Sequence, residues 1–330
     1  MPAPVPLRPV RRPPRVGVVL GAGGITGIAW LVGALEAVQR HTGWDPAEAD
    51  IVSGTSAGAV AAAVLTSGVG LRSLLPYADD DVLGAAVRRA MADREPDRGG
   101  AAWPASLPLG VAGLTAGSAW RRAASVTGFL PAGRRPTDEI RGLVHEAAGR
   151  GWPSHTQLWL HACDAATGRR VTFGRAGAPD AELSCAVAAS AAVPAWYRPV
   201  TIGGRRYIDG GVTSLTNADA LVDAGCDVVV CLTPFAARRR ESLLGTAVLG
   251  PARAVASLRL AHEARLLREA GARVVTVEPG AEELRVMGLN PMERRHSREV
   301  VEVASEGVGR RVAQLFADVA LPRAPHALAA

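Results

Sequence analysis

The chain has 330 residues, 48% apolar and 21% charged, which excludes an intrinsically disordered protein and leaves ample material for a large core. Aromatics at 4% argue against a stacking platform for single-stranded nucleic acid, and no run of about 20 uninterrupted apolar residues is present to span a membrane. The formal charge of +6 is carried by arginine alone, since lysine is absent; no basic run marks a nucleic-acid site, while contact with an anionic membrane surface stays open.

Residues 1–14, rich in Pro and Arg, lack the apolar core of a secretion signal and read as a disordered arm. Val16–Leu20 is a short, wholly apolar run that suits a buried parallel strand. Beyond the glycines of "GAGGITG", Ile28, Leu31, Leu35 and Val38 recur at helical spacing and predict a helix ending before Gly43. "ADIVSG" is a second strand, and the alanines of "TSAGAVAAAVLTSG" favour a second helix. Together these make a βαβ unit with a right-handed crossover.

Residues 70–155 are punctuated by Gly and Pro and read as a helical, cap-like insertion. "QLWLHACDAATGRRVTFG" predicts a hairpin. "RRYIDGGV" is a strand meeting a glycine turn, and "CDVVVCLTP" and "ARVVTVEPG" are further buried strands. Residues 241–270 and 292–319 read as helical, and the last residues, 323–330, as a frayed tail. The expected fold is therefore α/β: three layers, a mostly parallel central sheet with helices on both faces, in one domain over residues 15–322. Cys163, Cys185, Cys226 and Cys231 form no CxxC pair and read as buried free thiols in a reducing, cytoplasmic compartment, with no metal site.

The sharpest chemical signal is "SGTSAGAV". Gly54 and Gly58 flank Ser56 at two residues on either side, between a predicted strand and a predicted helix. Such a turn projects a hydroxyl at a helix N-terminus, where free N–H groups favour negative charge. A serine needs a base. None of the seven histidines sits on a glycine-flanked strand end, whereas Asp209 closes a strand and is followed by Gly210 and Gly211. At the carboxyl end of a parallel sheet it would point into the same crevice and could accept the serine proton directly.

"GAGGITG" fits no register of the dinucleotide fingerprint, and no acidic residue ends a second strand where ribose recognition would need it. The N–H groups of Gly23 and Gly24, with that of Ala57, could instead hold an oxyanion beside Ser56. A Ser-His-Asp hydrolase using His262 or His296 remains an alternative, as does a non-catalytic nucleotide- or lipid-binding protein. Ser190 and Pro194 are expected to shape a wall and the strand entry, Asp164 to serve the hairpin turn, and Trp103, Trp120 and Trp196 to pack in the core, with lining an acyl pocket or touching lipid as the alternative.

The order of these motifs resembles the patatin-like phospholipases, serine lipid acyl hydrolases with a Ser–Asp dyad. "CAVAASAAVPAWYRPVTIGGRRYIDGGV", "LHACDAATGRRVTF" and "TNADALVDAGCDVVVCLTP" extend the resemblance. It implies Ser56 as nucleophile and Asp209 as proton acceptor. Gly21, Gly23, Gly24 and Gly27 then form the oxyanion loop, and Gly54, Gly58, Gly210 and Gly211 shape the turns. A lipid or other acyl-ester substrate and no cofactor are also implied. The sequence departs from the family at Ala22, usually glycine, and at Thr26, often Arg or Lys.

Overall fold

The computed structural model describes residues 12–74, 133–149, 151–237 and 249–322. Most of the arm (1–11), most of the insertion (75–132), Trp103, Trp120, residues 238–248 and the tail 323–330 lie outside them.

An eight-stranded sheet forms the centre, in the order β5-β6-β3-β2-β1-β7-β8, with β4 also on β3. The strands are β1 (Val16–Leu20), β2 (Ile51–Thr55), β3 (Gln157–Asp164), β4 (Arg170–Phe173), β5 (Val200–Ile202), β6 (Arg205–Asp209), β7 (Val228–Leu232) and β8 (Arg273–Val277). β3, β2, β1, β7 and β8 run parallel, while β4, β5 and β6 form the antiparallel part. Every residue of β1, β2 and β7 is buried, which is why these segments read as unbroken apolar runs.

Alternate side chains of each strand enter different cores. Val16, Val18 and Leu20 join a large cluster with helices α1 (Gly24–Thr42), α2 (Ala57–Leu65), α3 (Asp138–Ala148), α4 (Leu183–Ser190) and the C-terminal α7 (Ser297–Leu315). Val19, Ile51, Val229 and Val274 face the other way, onto Leu260, Ala264 and Leu267 of α5 (Gly250–Glu269). The three-layer expectation holds, with the helices unevenly shared between the faces. A short α6 (Ala281–Met287) precedes α7. Within the region read as an insertion, α3 buries Ile140, Leu143 and Val144 in the main core, against α2 and α4.

Two local expectations change. The helix after β1 starts within the glycine motif, at Gly24. The Thr26 N–H donates to the carbonyl of distant Pro291 at 3.1 Å, so a tertiary bond takes up one of the helix's first free donors. Trp196 is not core: it is 38% exposed, with Arg135 stacked over its ring.

Near the start of the arm's described part, Arg12 pairs with Asp227, whose carboxylate also receives the Arg15 N–H at 2.7 Å. Helices α1 and α7 cross in close contact at Gly33. A methyl group on Gly33 would sit 2.3 Å from the Val301 carbonyl oxygen and 2.9 Å from Ala304 Cβ. Gly33→Ala is therefore expected to lower stability by about 1–3 kcal/mol, read as an earlier thermal or denaturant midpoint. An unchanged midpoint would show that the helices can part at no cost.

Candidate active site

β3 carries the geometry of the site. On one edge its residues Leu160–Cys163 pair with β4. On the other, β2 pairs as far as Thr55 opposite His161, and β6 takes over with Asp209 opposite Ala162. The two strands run towards each other and stop at adjacent positions. Asp209 thus lies at the end of an antiparallel strand, not a parallel one as expected; it reaches the crevice because β3 extends beyond β2 and guides β6 back down to it.

Each strand must turn away at this junction. After β2, Ser56 takes φ 56° and ψ −118°, a left-handed conformation that costs a non-glycine residue about 1–3 kcal/mol. Gly58 enters α2 pressed against β1, where a side chain would collide with the Leu20 carbonyl. After β6, Gly210 lies on the His161 carbonyl with equally little room. The Ser56 N–H donates to Ser190 Oγ at 3.0 Å, and Ser190 in turn donates to the His161 carbonyl at 2.6 Å. The sequence reading gave Ser190 only a wall; it is the bracket that ties the Ser56 turn to β3. A serine ending an alanine-rich segment gave no sign of this.

Asp209 is buried, and Oδ1 accepts the Gly211 N–H at 2.6 Å. Burial pushes its pKa up from the usual carboxylate value to about 6, while the nearby Ser56 hydroxyl and the Gly211 N–H pull it down. The hydroxyl is close enough to act on the carboxylate, yet Oδ2 accepts no hydrogen bond of normal geometry. An ionised carboxylate with one free oxygen, in a desolvated setting, is a proton acceptor tuned towards neutral pH.

The glycine motif flanks this pair. The N–H groups of Gly21 and Ala22 are used, by the carbonyls of Leu232 and Leu215, and that of Gly27 bonds back to Gly23. Among the described residues those of Gly23, Gly24 and Ala57 reach no carbonyl. Gly24 has φ 67° and lies beneath Pro291, so only glycine fits. Thr26 is buried and its hydroxyl, like its N–H, faces the Pro291 carbonyl. Gly24, Ser56 and Ala57 open onto an apolar pocket walled by Ile28, Val60, Ile140, Val193, Tyr197 and Met292. Sequence reasoning missed the Pro291–Met292 roof, which comes from a loop far along the chain.

Three histidines, His161 and the two candidate bases His262 and His296, have partners outside this chemistry. His161 is buried between Ser53 Oγ (2.7 Å) and Thr172 Oγ1 (3.1 Å), and burial lowers its pKa to about 3, so it is neutral. His262 is exposed beside Arg265 on α5, and His296 lies beside Glu299 before α7. Asp164 serves the hairpin as expected, accepting the N–H groups of Ala166 and Thr167. Among the described residues no cluster of His, Cys, Asp and Glu could hold a metal ion.

A carboxyl with a raised pKa stabilises the fold only while protonated. Ionisation of Asp209 therefore costs stability as pH climbs from the ordinary carboxylate range through about 6. Asp209→Asn, which keeps an acceptor for Gly211, is expected to melt above the wild type at pH 7–8, about one unit or more above that pKa. The advantage should shrink as pH falls through 6. A variant that melts lower at every pH would refute this reading of the burial.

A sequence model described as "Patatin-like phospholipase" matches residues 18–222. Solved structures similar to this chain include VipD from Legionella pneumophila, at 12% identity and a TM-score of 0.43, with 92% of this chain on 67% of that one. Another is the type III effector protein ExoU, at 18% identity and a TM-score of 0.34, with 91% of this chain on 54% of that one. This chain thus spans little more than half the length of ExoU. The matched family region takes in more than half of the chain, and with it the glycine motif, Ser56 and Asp209: the protein belongs to the patatin-like phospholipase family, a family of lipid acyl hydrolases.

Proposed function

We propose that this protein hydrolyses carboxylic esters of lipids through Ser56 and Asp209, with no histidine between them. The observation that carries the proposal is the end-to-end meeting of β2 and β6 on β3, which sets the strained Ser56 against a buried, underpartnered carboxylate. In the first step Asp209 takes the hydroxyl proton as Ser56 Oγ attacks the acyl carbonyl. The N–H groups of Gly23, Gly24 and Ala57 receive the oxyanion, in a site where such donors act strongly because water is excluded. The proton then passes to the leaving alcohol, and the acyl group remains on Ser56 with its chain in the apolar pocket. In the second step Asp209 deprotonates a water that attacks the acyl-enzyme, releasing the fatty acid and restoring the serine.

Three further features support the reading. The N-terminal end of α2 faces the developing negative charge. The pocket is lined by aliphatic side chains, Tyr197 and Met292, suited to a hydrocarbon chain. The arginine excess adds attraction for a surface of anionic headgroups; among the described residues no helix is long and apolar enough to cross a membrane. The four cysteines form no disulfide, in keeping with a reducing compartment such as the cytoplasm.

The test is labelling by a fluorophosphonate, followed by turnover of a panel of phospholipids, lysophospholipids and glycerides. Label is expected on Ser56 and is lost in Ser56→Ala. Asp209→Asn, which keeps the shape but not the base, is expected to lose about 10²–10⁴-fold in kcat/KM. Since the base works only when ionised, kcat/KM should fall as pH drops through about 6. Label on another residue, or full turnover by Ser56→Ala, would sink the proposal.

A further inference from the structure

Asn217 lies seven residues beyond Gly210, at the start of "TNADALVDAG", and the geometry gives it a place between the two turns of the site. It is fully buried and left-handed, at φ 51° and ψ 29°, a conformation asparagine tolerates better than most residues. The two hydrogens of its Nδ2 are shared among three acceptors, the Ser214 carbonyl at 2.6 Å, Thr55 Oγ1 at 3.1 Å and the Gly210 carbonyl at 3.3 Å. Thr55 is the residue before Ser56, and Gly210 is the residue after Asp209. One amide nitrogen therefore touches both strand ends that carry the proposed reacting groups.

The orientation of that amide is fixed from behind. Oδ1 accepts from Arg170 Nη1 at 3.3 Å and lies 3.0 Å from Thr213 Oγ1, whose one hydroxyl hydrogen it shares with the Gly210 carbonyl at 2.9 Å, so the nitrogen faces the junction. The loop that presents Asn217 is anchored by buried Glu263, which accepts from Ser214 Oγ at 2.7 Å, from Thr216 Oγ1 and from the Ala218 N–H at 3.0 Å. Glu263 is itself held by Arg259 Nε at 2.8 Å. The two turns are joined by no main-chain hydrogen bond to each other. The side-chain amide supplies a link that the sheet does not.

We infer that Asn217 is a positioning residue: through Thr55 Oγ1 and the Gly210 carbonyl it clamps the Ser56 turn to the Asp209 turn and fixes the approach of hydroxyl to carboxylate. The inference rests on the assignment of Ser56 and Asp209 made above. The Thr55 hydroxyl, at the end of β2, also donates to the Thr216 carbonyl at 3.4 Å, so it meets the Asn217 loop at two points. A clamp of this kind acts on the chemical step and leaves the acyl pocket, which Asn217 does not line, as it was.

Thr55→Val tests it most cleanly, because it keeps the shape and removes the Asn217 contact together with the hydroxyl's bond to the Thr216 carbonyl at 3.4 Å, while Thr55→Ser keeps the hydroxyl. On an acyl-ester substrate, Thr55→Val is expected to lose about 10–100-fold in kcat, as a small misplacement of reacting groups does, with KM little changed. Thr55→Ser should stay near wild type. The Ser56 hydroxyl lowers the Asp209 pKa, so loosening their contact should move the acid limb of the kcat/KM profile to higher pH, which a loss of packing alone would not do. Asn217→Ala should share the kcat loss and the moved limb in its folded fraction; if it does not fold, Thr55→Val decides alone. Wild-type kcat and an unmoved acid limb in Thr55→Val, or an equal loss in Thr55→Ser, overturn the clamp while leaving the dyad intact. Fluorophosphonate label on a residue other than Ser56 in the wild type overturns the dyad and the clamp with it.

Discussion

A β-strand has two edges, and β3 gives one of them to two strands that arrive from opposite directions. β2 uses that edge up to His161 and β6 begins to leave it at Ala162. Neither can continue without running into the other. Both chains must therefore turn sharply at the same level, and the residues at those turns, Ser56 and Asp209, are brought close by main-chain register alone. The site is placed by ladder hydrogen bonds in the middle of a sheet, the most rigid part of an α/β fold. Gly210 against the His161 carbonyl and Gly58 against the Leu20 carbonyl are consequences of that crowding.

The same crowding sets the electrostatics. A carboxylate at the end of an exposed strand would keep its ordinary pKa and be a weak base. Asp209 is closed in by β3, α4 and the loop after β6, and desolvation raises its affinity for a proton. A histidine relay is one way to obtain a base that works near neutral pH; burying a carboxylate with a free oxygen is another. His161 illustrates the difference. It lies one position before Ala162 on β3, but its ring is directed between Ser53 and Thr172 and its charged form is suppressed. Only its carbonyl, through Ser190, reaches the Ser56 turn.

Much of this was legible in the sequence because it follows from short-range patterns. The apolar runs of β1, β2, β7 and β8 could only be buried strands, and Gly54-x-Ser56-x-Gly58 between strand and helix fixed the serine turn. Asp209 was found through its glycines, although the strand it ends runs the other way. Strand direction depends on which partner is already in the sheet, and no local signal encodes that. The roles of Ser190, Asn217 and Pro291 went unread for one shared reason: each acts through a hydrogen bond to residues far away in the chain. Trp196 misled because its size argued for the core, whereas Arg135 covers its face at the surface.

Two buried carboxylates lie near the crevice loops, and comparing them shows why one is suited to chemistry and the other to structure. Glu263 accepts bonds from Ser214, Thr216, the Ala218 N–H and Arg259. Burial and the nearby Asp219 carboxylate raise its pKa against the pull of Arg259, but its oxygens are committed to these donors, so it holds the 214–218 loop and has nothing left to offer a substrate. Asp209 has one main-chain donor and a second oxygen that accepts no regular hydrogen bond. Left unsatisfied in a structural role, that oxygen would be a plain cost of burial. Beside a strained serine hydroxyl it is a proton acceptor held ready, and the well-partnered carboxylate behind it keeps in place the loop from which Asn217 spans the two turns.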